Sequence, residues 1–252
     1  MKTDEPKTQE EEEDDKGAVG LNEDTFSFLI SAHPLSIPFL TGMLAFALKN
    51  TIFYLVLVNL IDFDSEFNRL GIPVSVGTDV LGSQLLAFGI SVFTQNDLVT
   101  GMILLYQGYS TDMKDVYGRH NGVAGGGGYF GQWAFAVLCL FADGLFGLAV
   151  TFLLIVTSPD VLSVLLNFAA VEFVASLDEA VFSLAGMGFL GHINRLEAVL
   201  VTESTYIARR HHGSKVIHTV GLVGILAVVL SSWMYLFSLQ VRGAYFLGGL
   251  SR

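Results

Sequence analysis

Residues 132–156 read QWAFAVLCLFADGLFGLAVTFLLIV, an apolar stretch in which Asp143 is the only charged residue. A helix needs about 20 mostly apolar residues to cross the hydrocarbon layer of a bilayer. The stretch is long enough to do so, and Asp143 lies near its centre. It therefore predicts a transmembrane helix that carries a carboxylate deep in the membrane.

Four further segments meet the same criteria of length and polarity. Between the third and fourth segments lies Ser158-Pro159-Asp160, which predicts a tight turn with Pro159 as the helix breaker and Asp160 as the N-cap of the next helix. The expected fold is all-α, a polytopic membrane helix bundle occupying residues 31–252. The predicted spans are about 38–61, 81–105, 132–156, 161–190 and 216–239.

The composition agrees with a membrane bundle and excludes several other classes. Hydrophobic residues make up 52% of the chain and charged residues only 15%, whereas a soluble domain has roughly 25% charged residues. The chain therefore cannot be a disordered protein or a nucleic-acid-binding protein. Cys139 is the only cysteine, so an internal disulfide framework is also excluded.

The N-terminal segment differs from the rest of the chain in charge. Residues 1–24 contain ten acids and three lysines, so this segment carries −7 of the net charge of −11 of the whole chain. The acidic run at residues 10–15 has too little apolar surface to offset the entropy cost of folding. We therefore predict an acidic, disordered tail over residues 1–30.

Basic residues predict the orientation. With five spans, nine lysines and arginines fall on the N-terminal side of the membrane and three on the other, and the ratio drops to seven against five if segment 161–190 does not span. Because basic residues concentrate on the cytoplasmic side, we expect a cytoplasmic N-terminus and a C-terminus on the opposite side. Bases near the membrane can also bind anionic lipid headgroups, and the candidates are Arg209, Arg210 and Lys215.

Six charged residues interrupt the predicted spans: Lys49, Asp97, Asp143, Glu172, Asp178 and Glu179. A charge at the centre of a membrane helix costs about 2.5–3.5 kcal/mol on insertion scales, so each needs shielding by protein, water or protonation. On a single helical wheel the polar residues of segment 161–190, including Asn167, share one arc and form an acidic inner face. Lys49, Asp143 and Glu172 lie about half-way along their spans, and we expect them to meet near the midplane.

These charges favour two interpretations. In the first, the protein transports ions or protons, because one lysine cannot neutralise five acids and intramembrane acids often line ion paths. Its path residues are Glu172, Asp178, Glu179, Asp143, Asp97 and Asn167, with Lys49 as the counter-charge. In the second, the chain is a non-catalytic membrane subunit or scaffold whose polar helix docks a partner.

Enzyme motifs provide no third interpretation. The sequence contains no nucleophile elbow, zinc motif or phosphate-binding loop. A hydrolase using paired aspartates is conceivable from Asp97, Asp143 and Asp178, but nothing in their local sequence favours it. We therefore expect no catalytic activity, no cofactor and no metal site. The expected partners are the lipid bilayer and a membrane protein or a second copy of the chain, not nucleic acid.

One segment resembles a helix of uncharacterised multi-pass membrane proteins of algae. The pattern is Leu166-Asn167, then Glu172-Phe173, then Leu177-Asp178-Glu179, ending in Gly188-Phe189-Leu190-Gly191, over about a tenth of the chain. The resemblance implies that Asn167, Glu172, Asp178 and Glu179 are the signature of that family. It implies a membrane protein but no particular activity.

Overall fold

The computed structural model describes residues 18–61, 71–73, 76–109, 128–207 and 214–242. These residues are helical except for two short strands and the connections. The strands are β1 (Ala18–Gly20) and β2 (Thr205–Ile207), which pair antiparallel. In chain order the helices are α1 (Thr25–Ser31), α2 (Ile37–Leu60), α3 (Thr78–Thr94), α4 (Asn96–Gln107), α5 (Gly128–Thr157), α6 (Val161–Ala175), α7 (Leu177–Gly186), α8 (His192–Glu203) and α9 (Ser214–Arg242).

Three helices in the described part of the chain, α2, α5 and α9, are each long and apolar enough to cross a membrane alone. The second and fourth predicted spans are bent pairs, α3 with α4 and α6 with α7, and each pair meets at an angle of 41°. The number of spans is five if each bent pair crosses as one unit. The predicted helical membrane bundle is confirmed, but the expectation of unbroken helices at residues 81–105 and 161–190 is wrong.

The side chains of α2 are arranged as in a membrane-embedded protein. Leu44 is 70% exposed and Leu55 is 60% exposed, whereas Lys49 on the same helix is only 1% exposed. A soluble helix would turn its leucines inward and its lysine outward, because apolar burial drives folding in water. The outward leucines are suited to lipid contact, and the buried lysine requires partners inside the bundle.

Both helix breaks occur at polar residues within apolar sequence. At Gln95 the backbone leaves the helical region, with ψ at 67°. At Ser176 the backbone N–H donates to the carbonyls of Glu172 and Val174. Short polar side chains such as that of Ser176 compete with the helix for backbone hydrogen bonds, which favours helix ends over helix interiors. Each break begins a new helix with an aspartate in its first turn, Asp97 in α4 and Asp178 in α7.

The connection between α5 and α6 is the predicted turn. Asp160 caps α6, and its Oδ1 accepts a hydrogen bond from the Ser163 N–H at 2.9 Å. The two helices pack against each other along their lengths. The N-cap expected from the sequence is confirmed.

Helix α1 shows that the predicted tail is too long. All residues of Thr25–Ser31 are buried, and α1 packs against α2 and α5. Gln132 of α5 fastens the C-terminal end of α1, because its side-chain amide donates to the carbonyls of Leu29 at 2.8 Å and Ala32 at 2.6 Å. Residues 18–31 therefore belong to the folded body, since Phe26, Phe28 and Leu29 supply apolar surface that the acidic run lacks. The acidic run itself lies outside the described residues.

Two glycines bring α4 and α5 into backbone contact. A Cβ added at Gly144 would lie 2.5 Å from the backbone N of Leu98 and 2.8 Å from its Cα. At Gly101 the added atom would lie 3.4 Å from the Cα of Phe141. Small residues permit such close helix approach in membranes. The contact at Gly144 places its neighbour Asp143 beside Asp97, the neighbour of Leu98.

Candidate functional site

The amino group of Lys49 lies at the centre of a buried charge cluster. Its Nζ is 2.9 Å from Asp97 Oδ2, 2.7 Å from Asp143 Oδ2 and 3.1 Å from Asp178 Oδ1. We call these four side chains the Lys49 cluster. The side chains of Lys49 and Asp143 are each 1% exposed, and that of Asp178 is 3% exposed. The sequence predicted that Lys49 meets Asp143, and the structure brings two more aspartates to the same amino group.

Four helices supply the Lys49 cluster. Lys49 and Asp143 lie near the middle of α2 and α5, while Asp97 and Asp178 lie in the first turns of α4 and α7. The N-terminal end of a helix carries a partial positive charge, which stabilises a nearby carboxylate. The two helix breaks therefore place the carboxylates of Asp97 and Asp178 beside the N-terminal ends of α4 and α7.

The Lys49 cluster is not electrically balanced. One ammonium faces three carboxylates, so the four groups carry a net charge of −2 if all are ionised. An uncompensated buried charge costs several kcal/mol even after structural relaxation. Asn50 relieves part of this cost by donating from Nδ2 to Asp143 Oδ1 at 2.8 Å. Among the described residues, nothing donates a hydrogen bond to Asp178 Oδ2. A buried oxygen of this kind is suited to a proton or a bound cation.

A polar cavity of about 150 Å³ adjoins the cluster at the two helix breaks. It is lined by Asp97, Glu172, Glu179 and residues of both breaks. Asp97 is 19% exposed, so it belongs both to the cavity and to the Lys49 cluster. Glu172 accepts a hydrogen bond from the Thr94 hydroxyl at 2.7 Å. The cavity thus connects Glu172 and Glu179 to the buried charges through Asp97.

The single acidic face predicted for residues 161–190 is divided between different sites. The bend at Ser176 turns Asp178 into the Lys49 cluster and leaves Glu172 and Glu179 at the cavity. The expectation that Glu172 would meet Lys49 directly is therefore wrong. Asn167, in the middle of α6, contacts the connection before that helix instead of the cluster, since its amide donates to the Ser158 hydroxyl at 2.9 Å.

The structure describes no side chain of the predicted lipid-binding residues, and two residues of the site were not predicted. Arg209 and Arg210 lie outside the described residues, and Lys215 lies at the start of α9 without a described side chain. Sequence inspection missed Asn50 and Gly144, because a lone amide or glycine in an apolar run has no distinctive pattern. The polar run that ends in Asp97 lies at the first helix break, although the sequence analysis predicted an unbroken helix there.

The donor set of the cluster bears on which ligand it can hold. Within the described ranges, no group of three or more His, Cys, Asp and Glu side chains is arranged to hold a metal ion. The Lys49 amino group occupies the centre of the three aspartates, where a metal would need to bind. Outside the spans, hydrogen bonds from Ser163 hold the pKa of Asp160 below its ordinary value, so Asp160 is an ionised carboxylate at neutral pH.

Comparison with known proteins adds no functional information, because no protein-family model, curated protein or solved structure matches the chain.

Proposed function

We propose that the protein transports protons or small cations across the membrane, with the Lys49 cluster as the central binding site. The observation that carries this proposal is the excess of buried carboxylate: three aspartates against one lysine, two of them at helix breaks beside a polar cavity. A purely structural pair would need only one carboxylate, since each extra buried charge costs stability. The excess carboxylates have a role if they are neutralised in turn by the transported species.

The arrangement suggests how neutralisation is coupled to movement. When an aspartate accepts a proton or cation, its attraction to Lys49 weakens, and the amino group moves toward the remaining carboxylates. Because Asp97 and Asp178 begin separate helices, such a change acts directly on α4 and α7. The two bends then serve as the points at which these half-helices tilt.

We propose a cytoplasmic N-terminus, with five crossings. The β-strand pair supports five crossings, because β1 precedes α2 and β2 follows α8, so both strands must lie on one side of the membrane. Four spans between them satisfy this requirement, and so would two, so the strand pair excludes four crossings in total and is compatible with five. A topology in which only one of the bent pairs crosses would separate the strands. The excess of basic residues on the N-terminal side supports the cytoplasmic assignment.

We propose no catalytic role for the three aspartates. A hydrolase of the paired-aspartate type needs open space between its carboxyl groups for water and the substrate. In this protein the Lys49 amino group fills that space. We also propose, from the sequence pattern of Asn167, Glu172, Asp178 and Glu179 alone, that the chain belongs with the algal membrane proteins that it resembles.

A flux assay in liposomes tests the proposal. Purified protein is reconstituted with an entrapped pH-sensitive dye, or with sodium or potassium indicators, and a gradient is imposed. We expect flux above that of empty liposomes, and at least a tenfold loss in Asp97→Asn and in the double variant Glu172→Gln with Asp178→Asn. Asp160→Asn makes the same chemical change at an exposed helix cap and should retain the wild-type rate.

The alternative function predicts the opposite result. If folded protein passes neither protons, sodium nor potassium above background, transport is refuted. If chemical crosslinking in the native membrane then yields one stoichiometric membrane-protein partner, the scaffold interpretation replaces it.

A further inference from the structure

A second buried carboxylate site lies outside the predicted path. Asp24 caps α1, is 6% exposed, and its Oδ1 accepts a hydrogen bond from the Ser27 N–H at 2.9 Å. Its carboxyl is close enough to Asp97 and Asp178 to interact electrostatically with both. Asp24 is therefore coupled to the Lys49 cluster, although it belongs to the segment that the sequence assigned to a tail.

A second cavity, of about 200 Å³, contains Asp24. Most of its lining is apolar, but Asn22, Ser27, Thr100 and Gln107 join Asp24 on its polar side, where they offer hydrogen-bonding groups for water. We call it the Asp24 cavity, and the one lined by Asp97, Glu172 and Glu179 the Asp97 cavity.

Helix α4 joins the two cavities. Its first turn carries Asp97 at the Asp97 cavity, and Thr100 and Gln107 on the same helix line the Asp24 cavity. Asp97 and Thr100 are separated by about 4.5 Å along the helix axis, at 1.5 Å per residue. In a five-span topology α4 runs toward the side of the N-terminus, so the cavities lie on opposite sides of the cluster.

We infer that Asp24 exchanges protons between the Asp24 cavity and the Lys49 cluster, and that the transported species is the proton. This inference rests on the proposed transport function and names its substrate. In the transfer, an O–H bond on the Asp24 carboxyl breaks as one forms on Asp97 or Asp178, with intervening water molecules carrying the proton between them. Asp24 becomes a carboxylate, its acceptor becomes neutral, and no electron is transferred.

The surroundings of Asp24 suit such an exchange. Burial, together with the negative charges of Asp97 and Asp178, raises the pKa of Asp24 from an ordinary 3.8 to about 7. A group that both gains and loses a proton near neutral pH is suited to relay work. Besides Asp178, the described helices that pack against α1 carry these charged or titratable side chains: Lys49, Asp143, Glu179, His192, Arg195, Glu197 and Glu203.

Geometry favours the proton over a metal cation. The three aspartates of the Lys49 cluster already surround an ammonium at 2.7–3.1 Å, which leaves no central position for sodium or potassium. A proton needs only one carboxylate oxygen, and Asp178 Oδ2 is available among the described groups. The inference therefore predicts proton flux with no accompanying sodium or potassium flux.

Asp24→Asn and Asp160→Asn form a matched pair for the test. Both aspartates cap a helix and accept a hydrogen bond from the N–H of a serine three residues later at 2.9 Å, and asparagine caps a helix equally well. Only Asp24 is buried beside the cluster. We expect at least a tenfold loss of proton flux in Asp24→Asn and wild-type flux in Asp160→Asn. In infrared spectra, the band of a carboxyl that titrates near pH 7 should disappear only in Asp24→Asn.

The outcomes separate this inference from the transport proposal. If Asp97→Asn is inactive while Asp24→Asn keeps the wild-type rate and infrared band, the relay is refuted and transport stands. If sodium or potassium crosses with the proton gradient removed, the assignment of the proton is refuted. If wild-type protein passes no ion, transport itself fails.

A second variant decides the question if Asp24→Asn does not fold. Ile103→Phe narrows the Asp24 cavity without changing a titratable group, and Ile90→Phe makes the same change at a 42% exposed position on α3. If Ile103→Phe lowers the proton flux and Ile90→Phe does not, the relay is supported. Equal flux in both variants overturns it.

Discussion

Replacing Lys49 with methionine tests the energetic basis of the site. Methionine has nearly the volume of lysine, and volume-conserving changes in a core usually cost less than about 1.5 kcal/mol. The change removes the ammonium from three carboxylates that lie 2.7–3.1 Å from it. The loss of charge pairing is therefore the larger effect.

The expected magnitude follows from the burial of the cluster. Removing one partner of a buried ion pair costs about 3–5 kcal/mol, because the other charge stays buried without compensation. Lys49 is 1% exposed and serves three acids, so we expect a loss near the upper end, about 5 kcal/mol of unfolding free energy. Arg195→Met, at an exposed position on α8, should change stability by less than about 0.5 kcal/mol.

The assay is reversible unfolding in mixed detergent micelles, followed by circular dichroism over a range of pH. Protonation at lower pH neutralises the carboxylates that Lys49→Met leaves without a partner. The deficit relative to wild type should therefore shrink as the pH is lowered from neutral to about 5. Adding Asp143→Asn to Lys49→Met removes one unpaired charge and should restore part of the stability. A deficit below about 1 kcal/mol, or one independent of pH, would refute the charge argument.

Two further predictions concern packing and pH. Gly144→Ala should lower both stability and ion flux, because the added Cβ would lie 2.5 Å from the Leu98 backbone and push α4 away from α5. At Gly89 an added Cβ meets nothing within 4 Å, so Gly89→Ala should be neutral or slightly stabilising. Equal thermal unfolding of the two variants would contradict the helix contact at Gly144. Burial raises the pKa of Asp24 from 3.8 to about 7. Between about pH 4 and pH 7 the folded state therefore retains a proton that the unfolded state has released. The unfolding free energy should fall as the pH rises through that window, by up to about 4 kcal/mol. Asp24→Asn should remove this slope, and an unchanged slope in pH-dependent unfolding would show that Asp24 is not its source.

The sequence predicted the membrane bundle because length and hydrophobicity are local properties. The spans at residues 38–61, 132–156 and 216–239 correspond closely to α2, α5 and α9, and the Asp160 cap is where the turn chemistry placed it. The sequence also indicated which buried charges need partners, because each of these residues interrupts an apolar run. The meeting of Lys49 with Asp143 followed from their similar depths in their spans.

The sequence did not determine which charges meet. A helical wheel assumes an unbroken helix, so it grouped Asn167 with Asp178, and the bend at Ser176 separates them. The burial of α1 was also hidden, because seven residues are too short to stand out beside an acidic run. Composition and periodicity are read along the chain and thus decided the class of fold. The Lys49 cluster depends on the approach of four helices, which only packing at Gly144 and the two helix breaks could decide.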